Sequence, residues 1–370
     1  MKFKIAVLPG DGIGPEVIKQ AEKVIQAVAT RFSHSFELNQ ADFGGIAIDK
    51  SGEPLPEKTL DLCLDSDAVL LGAIGDPKFD NNPKIKVRPE QGLLGLRKAL
   101  QLHTNIRPVK SYPFLYSISP LKDERLEGID LTIYRELTGG IYFGEKSRSA
   151  DGNSAMDTCS YSKSEIERIS RKAFEEAKIR SKKLTLVDKA NVLETSRLWR
   201  EVIQDLSEEY KDITVDYLFV DNAAMKIVTH PSDFDVVLTE NMFGDILSDI
   251  ASVLCGSIGL LPSASIGDRY AMFEPVHGSY PQVAGKNKAN PVATILSAAM
   301  MLRHLGLENE AKEVEFAVQW SLDEGFATED INSDNPMDCS RVGEMIALKI
   351  EHGEEFNPKK DMSEHRDLII

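Results

Sequence analysis

Short apolar segments recur along this chain, each ending directly in glycine or polar residues, and helical patterns alternate with them. Ile5–Leu8 runs into Pro9-Gly-Asp-Gly-Ile-Gly-Pro15, after which apolar residues repeat at helical spacing through about Ala29. Asp67–Leu71 ends at Gly72, and further strand patterns cover Leu184–Val187, Val215–Val220 and Phe234–Leu238. Ser162-Lys-Ser-Glu165 has the spacing of a capping box and opens a helix to about Ser181. A helix over Met242–Leu254 stops before Gly256, and Asn290-Pro291, a cap with a first-turn proline, opens one to about His304. Between about Leu115 and Phe143 the sequence turns β-rich, with Leu131–Tyr134 and Gly140–Phe143 as strand candidates. This alternation confines the chain to the α/β class. At 370 residues it exceeds what one simple core serves, so two lobes are expected. Ligands in open α/β sheets gather beyond the carboxyl ends of strands, which makes the polar residues just after these segments the candidates for chemistry.

A formal net charge of −16 excludes a general nucleic-acid binder, which needs a basic face, but leaves room for small anions held by clustered arginines. No stretch approaches the roughly 20 apolar residues of a membrane span, and the apolar run at the N-terminus is too short for a signal peptide. Cys63, Cys159, Cys255 and Cys339 are scattered, with no CxxC pair, and read as reduced thiols of a cytoplasmic protein.

The glycines at 10, 12 and 14 miss the dinucleotide fingerprint, because its last glycine would fall on Pro15; a tight strand-to-helix turn near a ligand is the better reading. Arg97 and Arg107 flank a helix-to-strand passage and Arg135 follows Leu131–Tyr134; converging, three guanidinium forks would suit a dicarboxylate. Asp245 and Asp249, four apart, project from one helical face, and Asp221 ends a strand. Such hard oxygen donors suit Mg²⁺ or Mn²⁺, although an acidic solvent face has the same spacing. Lys189, in Asp188-Lys-Ala-Asn191 at a strand end, is either a base or an exposed turn residue, and Tyr142 either a functional hydroxyl or core packing. The Gly- and Asn-rich stretch Glu274–Asn290 would present backbone N–H groups to a phosphate or serve as a plain connector.

Taken in order, Leu8–Pro15, Asp188–Asn191, Asn241–Asp249 and Glu274–Ser279 resemble the metal-dependent β-hydroxy-acid oxidative decarboxylases, which act on isopropylmalate, isocitrate, homoisocitrate or tartrate. The resemblance covers essentially the whole chain. It implies an α/β isopropylmalate/isocitrate dehydrogenase-like two-domain fold, not a Rossmann fold. One domain would combine residues 1–102 and 256–370 and carry the NAD-binding loop; the other, 103–255, would carry the metal site and dimer interface. It further implies a homodimer whose active sites, in the cleft between domains, borrow residues from the partner chain. By the same carry-over, Arg97, Arg107 and Arg135 bind substrate carboxylates and Asp245 and Asp249 bind Mg²⁺ or Mn²⁺. Asp221, joining the substrate and metal, and Lys189 come from the other subunit, and Tyr142 and Lys189 form the acid–base pair. Glu274, His277, Gly278, Ser279, Gln282, Val283, Gly285 and Asn290 line the NAD site, with His277 and Asn290 near the adenosine.

Substrate choice hangs on Pro89–Arg97. Leu93 and Leu94 offer an apolar surface where isocitrate members are expected to place Ser and Asn, and Glu90 matches the acidic residue of isopropylmalate members. The implied reaction converts 3-isopropylmalate to 4-methyl-2-oxopentanoate and CO₂ with reduction of NAD, a step of leucine synthesis. D-malate, tartrate or homoisocitrate turnover is the nearest alternative. A non-catalytic regulatory member would be expected to lose metal or acid–base residues, and none is lost here. One departure stands out: NAD-dependent members typically carry Asp where this chain has Gln282, which brings no charge to repel a 2′-phosphate.

Overall fold

The computed structural model describes residues 1–80, 86–356 and 358. Its strands in chain order are β1 (Lys2–Gly10), β2 (Ser35–Gln40), β3 (Ala68–Ala73), β4 (Thr104–Lys110), β5 (Asp130–Glu136), β6 (Lys146–Arg148), β7 (Ala155–Asp157), β8 (Lys183–Asp188), β9 (Thr214–Phe219), β10 (Val236–Thr239), β11 (Pro262–Ile266) and β12 (Ala271–Pro275). The chain divides into two compact units, Met1–Leu94 with Met272–Ile370, and Gly95–Ala271. The boundaries expected near 102 and 256 therefore shift to 94 and 272. The reason lies in pairing: β11 runs antiparallel to β4, which draws the segment after 256 into the central unit.

In the first unit, β2, β1, β3 and β12 are neighbours in that order, all parallel. Every residue of β3 is buried, as a parallel sheet covered on both faces requires. The helix Gly14–Phe32 buries Val17, Ile18, Val24, Ile25 and Val28. Each such side chain contributes roughly 1.5–3 kcal/mol on leaving water. The glycine run forms the tight turn expected between β1 and this helix. Gly10 and Gly12 have φ of 71° and 57°, and a Cβ on Gly10 would lie 2.0 Å from the Ala73 carbonyl oxygen. The Asp11 carboxylate fixes the turn by accepting from Gly45, Ile46 and Gly75 N–H at 2.9, 3.1 and 3.0 Å.

The central unit has the strand order β11-β4-β5-β10-β8-β9, antiparallel across β11–β4–β5 and parallel from β5 to β9. Helices Lys163–Ile179 and Glu194–Ser207 cover a core built from Ile166, Ile169, Phe174, Trp199, Ile203 and the inner faces of β8 and β10. The capping box is present as read, with Ser162 Oγ accepting from Glu165 N–H and Glu165 reaching back to Ser162 N–H. Two strand readings fail. Gly140–Tyr142 is a single 3-10 turn, because Gly140 takes φ 74° and no extended run survives it. Val220 opens a helix instead of ending β9. The helix Asn241–Ser252 continues as one 3-10 turn and ends at Gly256, φ 78°.

All four cysteines are unpaired, and burial pushes the thiols of Cys63, Cys255 and Cys339 up to about 12. Among the described residues no helix is long and apolar enough to cross a membrane.

Candidate active site

Parallel strands β5, β10, β8 and β9 end on one edge of the central unit, and the polar residues beyond their carboxyl ends carry most of the candidate chemistry. Arg135 lies at the end of β5 and is 3 % exposed. Arg107 sits on β4, where its cross-strand partner is Ile133 while Asn105 faces Arg135. Beyond β10, Glu240 caps the helix Asn241–Ser252, accepting from Phe243 N–H at 2.7 Å. Tyr161 braces that cap, its hydroxyl donating to Glu240 Oε2 at 3.1 Å and accepting from Asn241 N–H at 3.0 Å.

The helix presents Asn241, Asp245 and Ser248 on one face, the i, i+4, i+7 stripe, and the two inner arginines meet it there. Asn241 Oδ1 accepts from Arg135 Nε and Nη2 at 3.1 and 2.9 Å, leaving Nη1 to donate to Asp245. Arg107 donates to Asn105 at 2.8 Å and to Ser248 Oγ, and its Nη2 lies 3.7 Å from the same Asp245 oxygen. Tyr142 donates to the other Asp245 oxygen at 2.9 Å, and its ring lies under the Arg135 guanidinium at 5.7 Å. Burial, then the Arg107 charge and more weakly that of Arg97, lowers the Arg135 pKa, with Asp245 opposing. The charges of Arg97 and Arg107 are thus both felt at Arg135. Burial, then the hydrogen bond to Asp245, raises the Tyr142 hydroxyl, which keeps it a proton donor. Its placement rules out the core-packing reading.

Asp249 stands one turn beyond Asp245. Partial desolvation raises its carboxyl and the Asp245 charge raises it further, against the pull of Arg107 and Arg135. Two like-charged carboxylates on one helical face fit a hard divalent cation, which would relieve that repulsion. Between the two aspartates Leu247 is buried and Ile246 is exposed. Asp221 does not join them within one chain. It pairs instead with Lys189 Nζ beyond β8 and β9, which lowers its carboxyl, and among the described residues no three acidic, His or Cys side chains come together at a metal's reach. Lys189 is further set by its N–H on Ser196 Oγ at 3.0 Å, while neighbouring Asp188 is held by Arg200 at 2.6 Å.

The helix Pro89–Ala99 carries Glu90, Leu93, Leu94 and Arg97, three and four residues apart and so on adjacent turns of one side. Leu93 and Leu94 are half-buried and Glu90 is exposed. Glu90 Oε1 and Ser279 Oγ both border Gly75, where an added Cβ would lie 3.3 and 3.5 Å from them.

In the first unit, 281–287 is a run of turns after β12, and Ser279 accepts from Ile13 N–H at 2.8 Å through its carbonyl. His277 Nδ1–H donates to Gly278 O at 2.9 Å, and its buried Nε2 has no hydrogen-bond partner among the described residues, an orphan acceptor of the kind a ligand fills. Burial lowers the imidazole pKa, keeping it neutral. Gly278 and Gly285 have open space where a side chain would be, which leaves their backbone approachable. The residues present thus fit a dinucleotide. Val283 packs on Ile13 and Val17, Gln282 and Gly285 are exposed, and Glu274 is half-buried. Asn290 is committed to the fold on both sides of its amide, accepting from Val292 N–H and donating to Asp330, each at 3.0 Å.

Asn241, Ser248, Asn105 and Tyr161 were not singled out from the sequence. The polar stripe Asn241-Asp245-Ser248 on an otherwise apolar helix is the signal that would have found the first two.

Residues 4–346 match the family described as isocitrate/isopropylmalate dehydrogenase. A 3-isopropylmalate dehydrogenase of Heyndrickxia coagulans is 55 % identical over 339 residues, covering 90 % of this chain and 92 % of that protein. One from Aquifex aeolicus is 52 % identical over 346 residues, covering 92 % and 94 %. An isocitrate dehydrogenase of Methylococcus capsulatus superposes with a TM-score of 0.85 at 36 % identity, covering 94 % of this chain and 99 % of that one. An apo β-decarboxylating dehydrogenase of Thermococcus kodakarensis gives 0.78 at 35 %, covering 100 % and 99 %. The chain belongs to the isocitrate/isopropylmalate dehydrogenase family.

Proposed function

We propose that this chain is a decarboxylating dehydrogenase of leucine synthesis, converting 3-isopropylmalate, NAD⁺ to 4-methyl-2-oxopentanoate, CO₂ and NADH in the cytoplasm. The observation that carries the reading is the meeting of Arg107, Arg135 and Tyr142 at Asp245, with Arg97 adding its charge, in a chain more than half identical to enzymes of that name. Leu93 and Leu94, beside Arg97 on one helix, are the surface for the isopropyl group. A third carboxylate lying there would be buried unpaired, which costs more than apolar contact gains.

The arginines hold the two substrate carboxylates by charge and by hydrogen bonds from the guanidinium N–H groups. Asp245 and Asp249, with Asp221 of a second copy, would hold Mg²⁺ or Mn²⁺, which would supply Lewis acidity to the substrate's C2 oxygen. NAD along Glu274–Asn290 supplies the hydride acceptor. The Lys189–Asp221 pair takes the C2 hydroxyl proton, with Asp221 as the proton's acceptor in the pair, as the C2 hydride passes to the nicotinamide. The bond from C3 to its carboxylate then breaks, CO₂ leaving and the electron pair forming the enolate, and Tyr142 delivers a proton to C3. Asn241 and Ser248 hold Arg135 and Arg107 in place throughout.

The site is incomplete in one copy, because Lys189 and Asp221 form a pair apart from the Tyr142–Asp245 cluster; a homodimer supplies the missing half. Met225 (58 % exposed), Ile246 (51 %) and Val253 (38 %), on helices that pack together, are the apolar surface proposed to meet the second copy. The four unpaired thiols are in keeping with a reducing compartment.

The test is NAD reduction followed by absorbance with 3-isopropylmalate, D-malate and isocitrate, each with and without Mg²⁺ or Mn²⁺. The reading requires metal-dependent turnover with 3-isopropylmalate preferred; a preference for D-malate overturns the substrate, and no turnover with any diacid overturns the enzyme.

A further inference from the structure

We propose that Glu16 is the positioning residue that holds the Glu274–Asn290 loop in its cofactor-accepting shape, an inference that rests on reading this loop as the NAD site. The loop is conformationally costly. Tyr280, Gly285 and Asn287 adopt φ of 37°, 75° and 57°, and two of these are side-chain-bearing residues in the left-handed region. Its own carbonyls satisfy only part of its backbone. Val283, Ala284 and Lys286 N–H donate to Tyr280, Pro281 and Val283 oxygens at 3.2, 3.4 and 3.1 Å. The Gly285 and Asn287 N–H groups go elsewhere: one to each oxygen of the Glu16 carboxylate, the Asn287 bond at 3.1 Å.

Glu16 is well placed to do this without help from the loop. It lies in the first turn of the helix Gly14–Phe32, where the helix dipole favours a carboxylate. Asn287 carries the clamp onward. Its side chain donates to Ser340 Oγ at 2.8 Å and accepts from Ser340 N–H at 2.9 Å, and its carbonyl accepts from Cys339 N–H at 2.8 Å. Ile13, Val17, Ala289 and Cys339 form the apolar bed beneath, with Val283 and Ala284 against it. Glu16 thus acts through two backbone amides that the loop's own carbonyls do not engage, and it presents Gly285 to the cofactor from behind.

Glu16→Ala and Glu16→Gln, made in the full chain, test this by calorimetric titration with NAD, steady-state kinetics and amide hydrogen exchange. Loss of two charge-assisted hydrogen bonds is expected to weaken NAD binding roughly tenfold or more in Glu16→Ala. KM for NAD should rise in parallel, while kcat at saturating NAD and KM for 3-isopropylmalate stay within about twofold. Glu16→Gln should fall between, since its amide oxygen accepts one N–H while its NH₂ confronts the other. Amides 285 and 287 should exchange faster in both variants. Unchanged NAD affinity in Glu16→Ala overturns the proposal, as does a loss of kcat and of 3-isopropylmalate binding in step with NAD, which would mark general unfolding. Wild-type protein provides the separate check: NAD must protect amides of 278–290, and binding without such protection overturns the loop reading itself.

Discussion

Gly244 sets up a contest between two known effects. In the first turn of the helix, where Gly244 lies, alanine is favoured over glycine by at most about 0.8–1 kcal/mol from propensity alone. A Cβ there, however, would lie 2.6 Å from Arg135 Cγ, 2.7 Å from Arg135 Cβ and 3.1 Å from Thr239 Cγ2. Those are atoms at the root of a 3 % exposed side chain whose far end is pinned by Asn241 and Asp245, so Arg135 cannot swing aside. Overpacking of this kind costs about 1–3 kcal/mol. Strain wins, and Gly244→Ala is expected to be less stable by up to about 2 kcal/mol, lowering the melting temperature by up to about 3 °C. Activity should suffer more. A guanidinium displaced by several tenths of an ångström loses its hold on the substrate carboxylate, and misplacement on that scale lowers kcat/KM by roughly 10- to 100-fold. Thermal denaturation and NAD-linked turnover measure the two effects. A variant as stable as wild type with unaltered kcat/KM would refute the reasoning, because propensity would then have prevailed and Arg135 would not be fixed as described.

His103 is 1 % exposed and burial, then the Arg168 charge, lowers it to about 4 against an ordinary 6.5, with Asp268 opposing. The unfolded chain therefore binds that proton more readily, so the stability is present above about pH 7 and is lost between about pH 6.5 and 4, by roughly 3 kcal/mol in all. In denaturant melts across that window the stability of His103→Gln should depend on pH less steeply than that of wild type; parallel curves would refute it. Asp249→Asn should shift the two properties in opposite directions: removing a carboxylate whose folded pKa is raised increases metal-free melting temperature slightly, while the Mn²⁺ concentration for half-maximal turnover rises roughly tenfold. A fall in both would contradict the like-charge account. Native protein should react slowly with a thiol reagent at Cys63, Cys255 and Cys339, unfolded protein rapidly, and equal rates would deny the burial that raises these thiols.

The sequence displayed the alternation of strands and helices because each element carries its own period, and the capping box at Ser162 was readable because its bonds are local. Arg97, Arg107, Arg135 and Asp245 were legible as residue types. Their convergence was not, since it depends on β4 and β5 pairing so that Arg107 and Arg135 face one helix. Tyr142 was misplaced in a strand because apolar spacing does not reveal that Gly140 turns left-handed. Glu16 escaped notice for the opposite reason: a glutamate in a first helical turn looks fully explained by the helix, while its partners lie some 270 residues downstream.

The separation of Lys189–Asp221 from Tyr142–Asp245 within one chain has a genetic consequence. On the proposed dimer, each catalytic centre draws one half from either polypeptide, so two differently crippled copies can rescue each other. Lys189→Ala and Tyr142→Phe chains, each nearly silent alone, would on mixing and re-pairing form hybrids with one centre intact and one doubly damaged. Random pairing places about half the dimers in that class, and so returns about one quarter of wild-type activity. Alleles of this kind would complement in a leucine auxotroph, though neither supports growth by itself.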